Sequence, residues 1–284
     1  MKFNTPPVRT RSIRAVAGWR NGFLSCAVAS VALFLSAHSG QAAATIFLDE
    51  HFDSYVDQSA FTNAWPALNG TTVAPSTILV NTQSVSPSQS VEGLLTATRN
   101  QRSVGEVGFL NGSTDLVIFR INFYDSAGSA AAYRQFCELD DSASPTSSGQ
   151  LYALGLNNNI SSTNYMARVL GFDGGNGSGA FFALNDPGAP ARSTGWHSLE
   201  ADIGDNTVQY YVDGILSKTI NISALTDRSL DTVKLGSNLT STQVAYFDDV
   251  YVARVTVPEP SPLALSLLAG FGLVAKRIFR RRGC

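Results

Sequence analysis

Apolar residues in the middle of this chain recur at every second position, in short runs separated by turn residues. The clearest stretch is 196–222, WHSLEADIGDNTVQYYVDGILSKTINI. Leu199, Ala201 and Ile203 alternate with Ser198, Glu200 and Asp202. After Gly204-Asp205-Asn206, Val208, Tyr210 and Val212 alternate with Gln209 and Tyr211. A period of two places each set on one face of a strand. Asp213-Gly214 is the residue pair that a two-residue hairpin turn with φ > 0 asks for, and 215–222 runs back. The stretch therefore predicts a β-meander. Shorter strands are predicted over 104–110, 116–124, 132–139, 151–156, 165–172 and 180–184, with Asn, Asp, Ser and Gly between them. Ile46-Phe47-Leu48 opens the series, and Val233-Lys234-Leu235 and YFDDVYV (246–252) close it. The polar stretch 71–81, broken by Pro75, reads as a loop. Many short strands with no long helical period predict an all-β, antiparallel two-sheet sandwich.

The two ends obey other patterns. Residues 1–44 begin with Lys2, Arg9, Arg11, Arg14 and Arg20, continue through an apolar run over 23–35, and reach small residues at Ala42 and Ala44. That order is a secretory signal helix with an A-x-A cleavage site, and no adjacent arginine pair redirects it from the Sec export machinery. Residues 257–284 begin with Val257, Pro258, Glu259 and Pro260, stiff and extended because proline fixes φ. An uncharged run of 14 residues, 262–275, follows as a second hydrophobic helix. Lys276, Arg277, Arg280, Arg281 and Arg282 end it. At about 1.5 Å per residue the run covers only about 21 Å, so it is expected to anchor marginally, with the cations snorkelling to the headgroups. Basic residues beside an apolar run stay cytoplasmic, which puts 45–256 outside. The expected parts are thus a signal peptide (1–44), a sandwich domain (45–256) and a sorting and anchor tail (257–284).

Charge follows this division. Of 20 Lys and Arg residues, five precede Phe23 and five follow Ala275, leaving ten for the body against 21 acids. An acidic body is a poor partner for nucleic acid or an anionic membrane surface, and suits a divalent cation or neutral sugar. The cysteines are Cys26, Cys137 and Cys284. Only Cys137 lies in the body, where it is expected as a small buried hydrophobe.

The tail, with Val257-Pro258-Glu259-Pro260-Ser261, a Leu/Ala/Gly-rich run and an arginine cluster in that order, resembles the PEP-CTERM sorting signal of Gram-negative bacteria. The resemblance implies an exosortase-type membrane protease as partner, transient attachment to the inner membrane, removal of the tail, and delivery to the cell surface or extracellular matrix. The body resembles laminin-G-like, concanavalin-A-like jelly rolls in FLDEHFDSY (47–55), in Gly195-Trp196-His197 with Tyr211-Val212-Asp213-Gly214, and in YFDDVYV. That resemblance implies paired first and last strands, which would bring Asp49 and Glu50 near Asp248 and Asp249. The four carboxylates make that seam a candidate site for a structural Ca²⁺, an ion that takes six to eight oxygens.

Glu138, Asp140 and Ser142 share a face of a predicted strand, where laminarinase-type glycoside hydrolases carry Glu-x-Asp-x-Glu. Serine at the third position leaves that mechanism short of a carboxylate, and a solvated strand end is expected. Trp65 and Trp196 are either core residues or a sugar-stacking platform. His51 and His197 lack a second ligand at metal spacing, and no serine lies in a nucleophile-elbow pattern. The Gly-rich 171–179 reads as a hairpin loop, because a strand and not a helix follows it. The expectation is an exported, surface-sorted, non-enzymatic protein, glycan-binding or structural, with extracellular polysaccharide as the candidate partner. The alternative is an atypical glycoside hydrolase or lyase of the same fold acting on that polysaccharide.

Overall fold

The computed structural model describes residues 43–68, 77–97, 99–108, 112–126, 132–142, 150–170, 181–225, 229–237 and 239–256. All belong to one unit, Ala42–Val257. The expected signal helix, the sorting motif and the basic cluster lie outside the described residues, apart from Ala44, which lies in the first strand. No helix among the described residues is long and apolar enough to cross a membrane.

Two antiparallel sheets form a jelly-roll sandwich. In chain order the elements are β1 (Ala43–Glu50), α1 (Gln58–Ala64), β2 (Thr77–Val80), β3 (Ser90–Gly93), β4 (Asn100–Ser103), β5 (Leu116–Asp125), β6 (Arg134–Asp140) and β7 (Leu151–Asn157). They continue with β8 (Met166–Val169), β9 (Phe181–Ala183), β10 (Gly195–Ile203), β11 (Thr207–Val212), β12 (Ile215–Asn221), β13 (Thr232–Leu235) and β14 (Ala245–Thr256). Sheet A runs β12-β11-β10-β5-β14-β3-β2, with β1 also on β14. Sheet B runs β4-β13-β6-β7-β8-β9.

Alternation explains sheet A. Val117, Phe119, Ile121 and Phe123 on β5, Leu199, Ala201 and Ile203 on β10, and Val208, Tyr210 and Val212 on β11 enter one core. Cys137, Leu139, Leu154, Leu156, Ala167, Val233 and Leu235 meet them from sheet B. Phe182 packs edge-to-face on Tyr210, ring centroids 5.5 Å apart. Cys137 is fully buried, and burial pushes its thiol well above the ordinary range. The meander forms as predicted: Asp213 and Gly214 take φ of 51° and 74° at the turn joining β11 to β12.

Three local departures have physical causes. The predicted strand over 104–110 is displaced to β4, whose residues Asn-Gln-Arg-Ser are all polar; register with β13, not side-chain pattern, makes it a strand. Part of the stretch read as a loop is β2. Between β1 and β2 lies a seven-residue helix, capped by Asp57, whose side chain accepts from the Ala60 N–H at 2.8 Å. The helix lowers Phe61 into a cluster with Phe52, Tyr55 and Trp65.

Candidate functional site

The first and last strands pair, Ala43 opposite Thr256 through Glu50 opposite Val250. β3 takes the same side of β14 from Ala245 to Phe247. Between the two stretches β14 bulges at Asp248 and Asp249, where its register with β5 shifts. Asp249 has φ 47°, and Phe52 across the seam has φ 61°, a region that non-glycine residues rarely take. An open cleft of ≈ 580 Å³ lies here, lined in part by Asp49, His51, Asp53, Ser86 and Asp249.

Of the four expected calcium carboxylates, all come to this seam but they do not converge. Glu50 turns inward: it accepts from the Phe52 N–H at 2.8 Å and the Tyr55 hydroxyl at 2.7 Å, and pairs with Arg102. Asp248 is fully buried and accepts from the Val85 N–H at 2.8 Å, the Ser86 N–H at 3.1 Å and the Asp249 N–H at 2.9 Å. Burial raises its pKa, and those bonds act against the rise. His51 lies between Asp249, 2.5 Å from Nδ1, and Asp49, 3.3 Å from Nε2. The bond to Asp249, against some burial, lifts the His51 pKa above its ordinary value. Among the described residues no group of three or more His, Cys, Asp or Glu is arranged to hold a metal ion. Glu50 and Asp248 spend their oxygens on Arg102, Tyr55 and backbone N–H groups, and His51 stands between Asp49 and Asp249, so the set does not fit one ion.

The structure separates the two tryptophans. Trp65 is wholly in the core, its indole N–H donating to the Tyr55 hydroxyl at 3.2 Å. Trp196 lies on the outer face of sheet A, half-buried, opposite Tyr124, which is itself opposite Tyr246. The three rings form a row across β10, β5 and β14, with centroids 5.4 and 5.6 Å apart and the outer two turned 73° and 80° from the middle one. Polar rows flank them. Ser198 and Asn122 come next, Asn122 donating to Asp249 at 2.7 Å, then Glu200, Arg120 and Tyr251. The Arg120 guanidinium lies 5.0 Å from the Tyr251 ring centre. In the row beyond, burial and the Glu200 charge push Asp202 up to about 6.

The carboxylates on β6 contradict the solvated strand end. Glu138 and Asp140 do share a face, but both are buried. Glu138 pairs with Arg99 and lies 3.6 Å from Arg168, and Asp140 pairs with Lys234. Burial raises the Asp140 pKa against the pull of Lys234. Ser142 bonds instead to Asp231, 2.6 Å away. Sequence reasoning missed the cations because Arg99, Arg168 and Lys234 arrive from three separate segments. The Gly-rich 171–179 lies outside the described residues.

No protein-family model matches the chain, and no curated protein does. Among solved structures it is similar to the cellulose induced protein Cip1, at 14% identity over 72% of this chain and 96% of that one, TM-score 0.48. It is similar to a carbohydrate esterase of the Shiga toxin-encoding bacteriophage phi24B, at 12% over 75% and 100%, TM-score 0.47. A third is the Bacillus licheniformis beta-glucanase, at 14% over 77% and 99%, TM-score 0.43. At these identities the likeness concerns the fold and says nothing of the sites.

Proposed function

We propose that this is an exported, surface-sorted sandwich that binds glycan on the outer face of sheet A. The observation that carries the binding half is the row Trp196, Tyr124 and Tyr246. Large half-buried rings with apolar faces and polar tips suit a pyranose, which offers C–H groups on its faces and hydroxyls at its edge. Ser198, Asn122, Glu200 and Arg120 supply donors and acceptors one and two rows away. The acidic body favours a neutral glycan.

The export half rests on the leader and on the PEP-CTERM-like tail, with an exosortase-type protease as processing partner. The test is retention of the purified, exported protein on immobilised neutral polysaccharides. Trp196→Ala and Tyr246→Ala should each weaken retention at least about tenfold, since one good aromatic contact contributes about 1.5 kcal/mol. Equal retention of both variants and the parent would overturn the binding site. A mature mass still containing residues 1–44 and 257–284 would overturn the sorting.

A further inference from the structure

At the rim beside Trp196, three side chains stand in sequence. Ser193 Oγ is 3.1 Å from His197 Nε2, and His197 Nδ1 is 2.8 Å from Asp213 Oδ2. Successive residues on β10 point to opposite faces, so Trp196 faces outward while His197 turns over the ring of Tyr165, centroids 5.1 Å apart. Asp213 is the first residue of the β11–β12 turn. Its other oxygen accepts from the Ser198 N–H at 2.9 Å, and its own N–H donates to the Ser198 carbonyl at 2.8 Å. The hairpin thereby fixes the carboxylate against the imidazole.

The proton arrangement is constrained. A carboxylate only accepts, so Nδ1 carries the proton toward Asp213, leaving Nε2 as an acceptor in the neutral ring. Nε2 also lies 3.0 Å from the Ser193 carbonyl oxygen, which only accepts, so Nε2–H donates there in the charged ring, and in the neutral ring the carbonyl supplies no proton. That oxygen already accepts from the Tyr165 hydroxyl at 3.3 Å. The Ser193 hydroxyl is then the group that can donate to Nε2. These are the roles of a nucleophile, a general base and the group that orients the base, recognised by geometry and not by chain position.

We propose that Ser193, His197 and Asp213 form a hydrolytic site for carboxylic esters. It goes beyond the binding reading and departs from the expectation of a chain without catalysis. Ser193 Oγ attacks the acyl carbon while His197 Nε2 takes its proton. The tetrahedral adduct collapses, the bond from the acyl carbon to the alcohol oxygen breaks, and the proton on Nε2 goes to that alcohol. Water then attacks the acyl-serine, Nε2 takes a proton from it and returns one to Oγ, and a carboxylic acid leaves. The balance is ester plus water to acid plus alcohol, and no other reactant is needed. Ser193 is exposed, whereas the His197 side chain is 11% exposed and that of Asp213 40%. So open a site suits acyl groups that project from a larger molecule, and where the binding reading holds that molecule is an O-acylated glycan.

The test uses the purified, exported protein with a fluorophosphonate probe, p-nitrophenyl acetate and acetylated xylan. The probe should attach at Ser193, located by peptide mass spectrometry, and Ser193→Ala should lose both the label and hydrolysis above buffer. Ser193→Ala removes one exposed hydroxyl and should fold; an unchanged melting temperature confirms it. Asp213→Asn should lower kcat for p-nitrophenyl acetate at least about 100-fold with little change in KM. Labelling at another serine, or equal hydrolysis by parent and Ser193→Ala, overturns the proposal. Glycan retention is read without turnover and p-nitrophenyl acetate carries no sugar, so the two readings fail separately.

Discussion

Arg192, the residue before Ser193, anchors this rim, and replacing it tests how. Its side chain is 1% exposed and that of Asp125 is 0%. The guanidinium donates twice to Asp125, at 2.9 and 3.2 Å, once to Asn158 at 2.6 Å and once to the Ser162 carbonyl at 3.3 Å, and lies 5.3 Å from the centre of the Tyr133 ring. The Arg192 N–H donates to the Thr163 carbonyl at 2.9 Å. Methionine here keeps most of the apolar stem and strands the Asp125 carboxylate without its guanidinium. Breaking a buried pair from one side costs about 3–5 kcal/mol, most of it the price of the stranded charge. With a urea slope of about 2.5 kcal/mol/M for a domain of this size, the midpoint of unfolding should fall by about 1–2 M at pH 7. Trp65 fluorescence reports the transition. Adding Asp125→Asn to Arg192→Met removes the charge and should recover about half of the loss, the signature of coupled neighbours. An Arg192→Met midpoint within about 0.3 M of the parent's, or a double variant no more stable than the single one, would refute a stranded Asp125 charge as the cause.

Two further outcomes follow from particular atoms. The Asp202 carboxyl titrates at about 6, above its unfolded value, so the folded state holds the proton more tightly; stability from this group is present at low pH and lost as pH rises from about 4 through 6. Asp202→Asn should therefore raise stability by about 1–2 kcal/mol at pH 8 and change little at pH 4, read from urea melts at both. Gly155 on β7 has φ 151°, and a Cβ there would lie 2.3 Å from the Gln135 carbonyl oxygen, so Gly155→Ala should cost at least about 2 kcal/mol by the same melts; a neutral result would mean that β6 and β7 separate easily.

The elements that were legible are those whose fate local pattern decides. The alternation over 199–212 with Asp213-Gly214 specifies the meander, because register and turn are set within one short stretch. The pairing of β1 with β14 came from the jelly-roll resemblance; no spacing could show it across some 200 residues. β4 was invisible because Gln101 and Arg102 carry no hydrophobic signal. The same limit applies to sites. The fates of Trp65 and Trp196 could not be told apart by residue type, since the difference is the α1 turn beneath one and a sheet's outer face beneath the other. Glu138 looked solvated because its arginines lie 39 and 30 residues away in the chain, as the numbering of Arg99 and Arg168 shows. Ser193, His197 and Asp213 match no motif; the meander brings the aspartate back to the histidine.

The long strand β14 gives the placement of these groups a direction. Thr256, its last residue, is paired with Ala43, and Tyr246 is its second. Ten residues at about 3.3 Å put the aromatic row about 33 Å from the Thr256 end of the strand. Trp196 and Tyr124 sit at the start of β10 and the end of β5, so the row and the Ser193 rim occupy that far end. Tension applied at Thr256 loads β14 along its length. β14 is bonded to β5 on one side and to β1 and β3 on the other, so the load must shear many ladder bonds together before any strand peels away. The same pairing therefore ties the strand carrying Tyr246 to three neighbours at once.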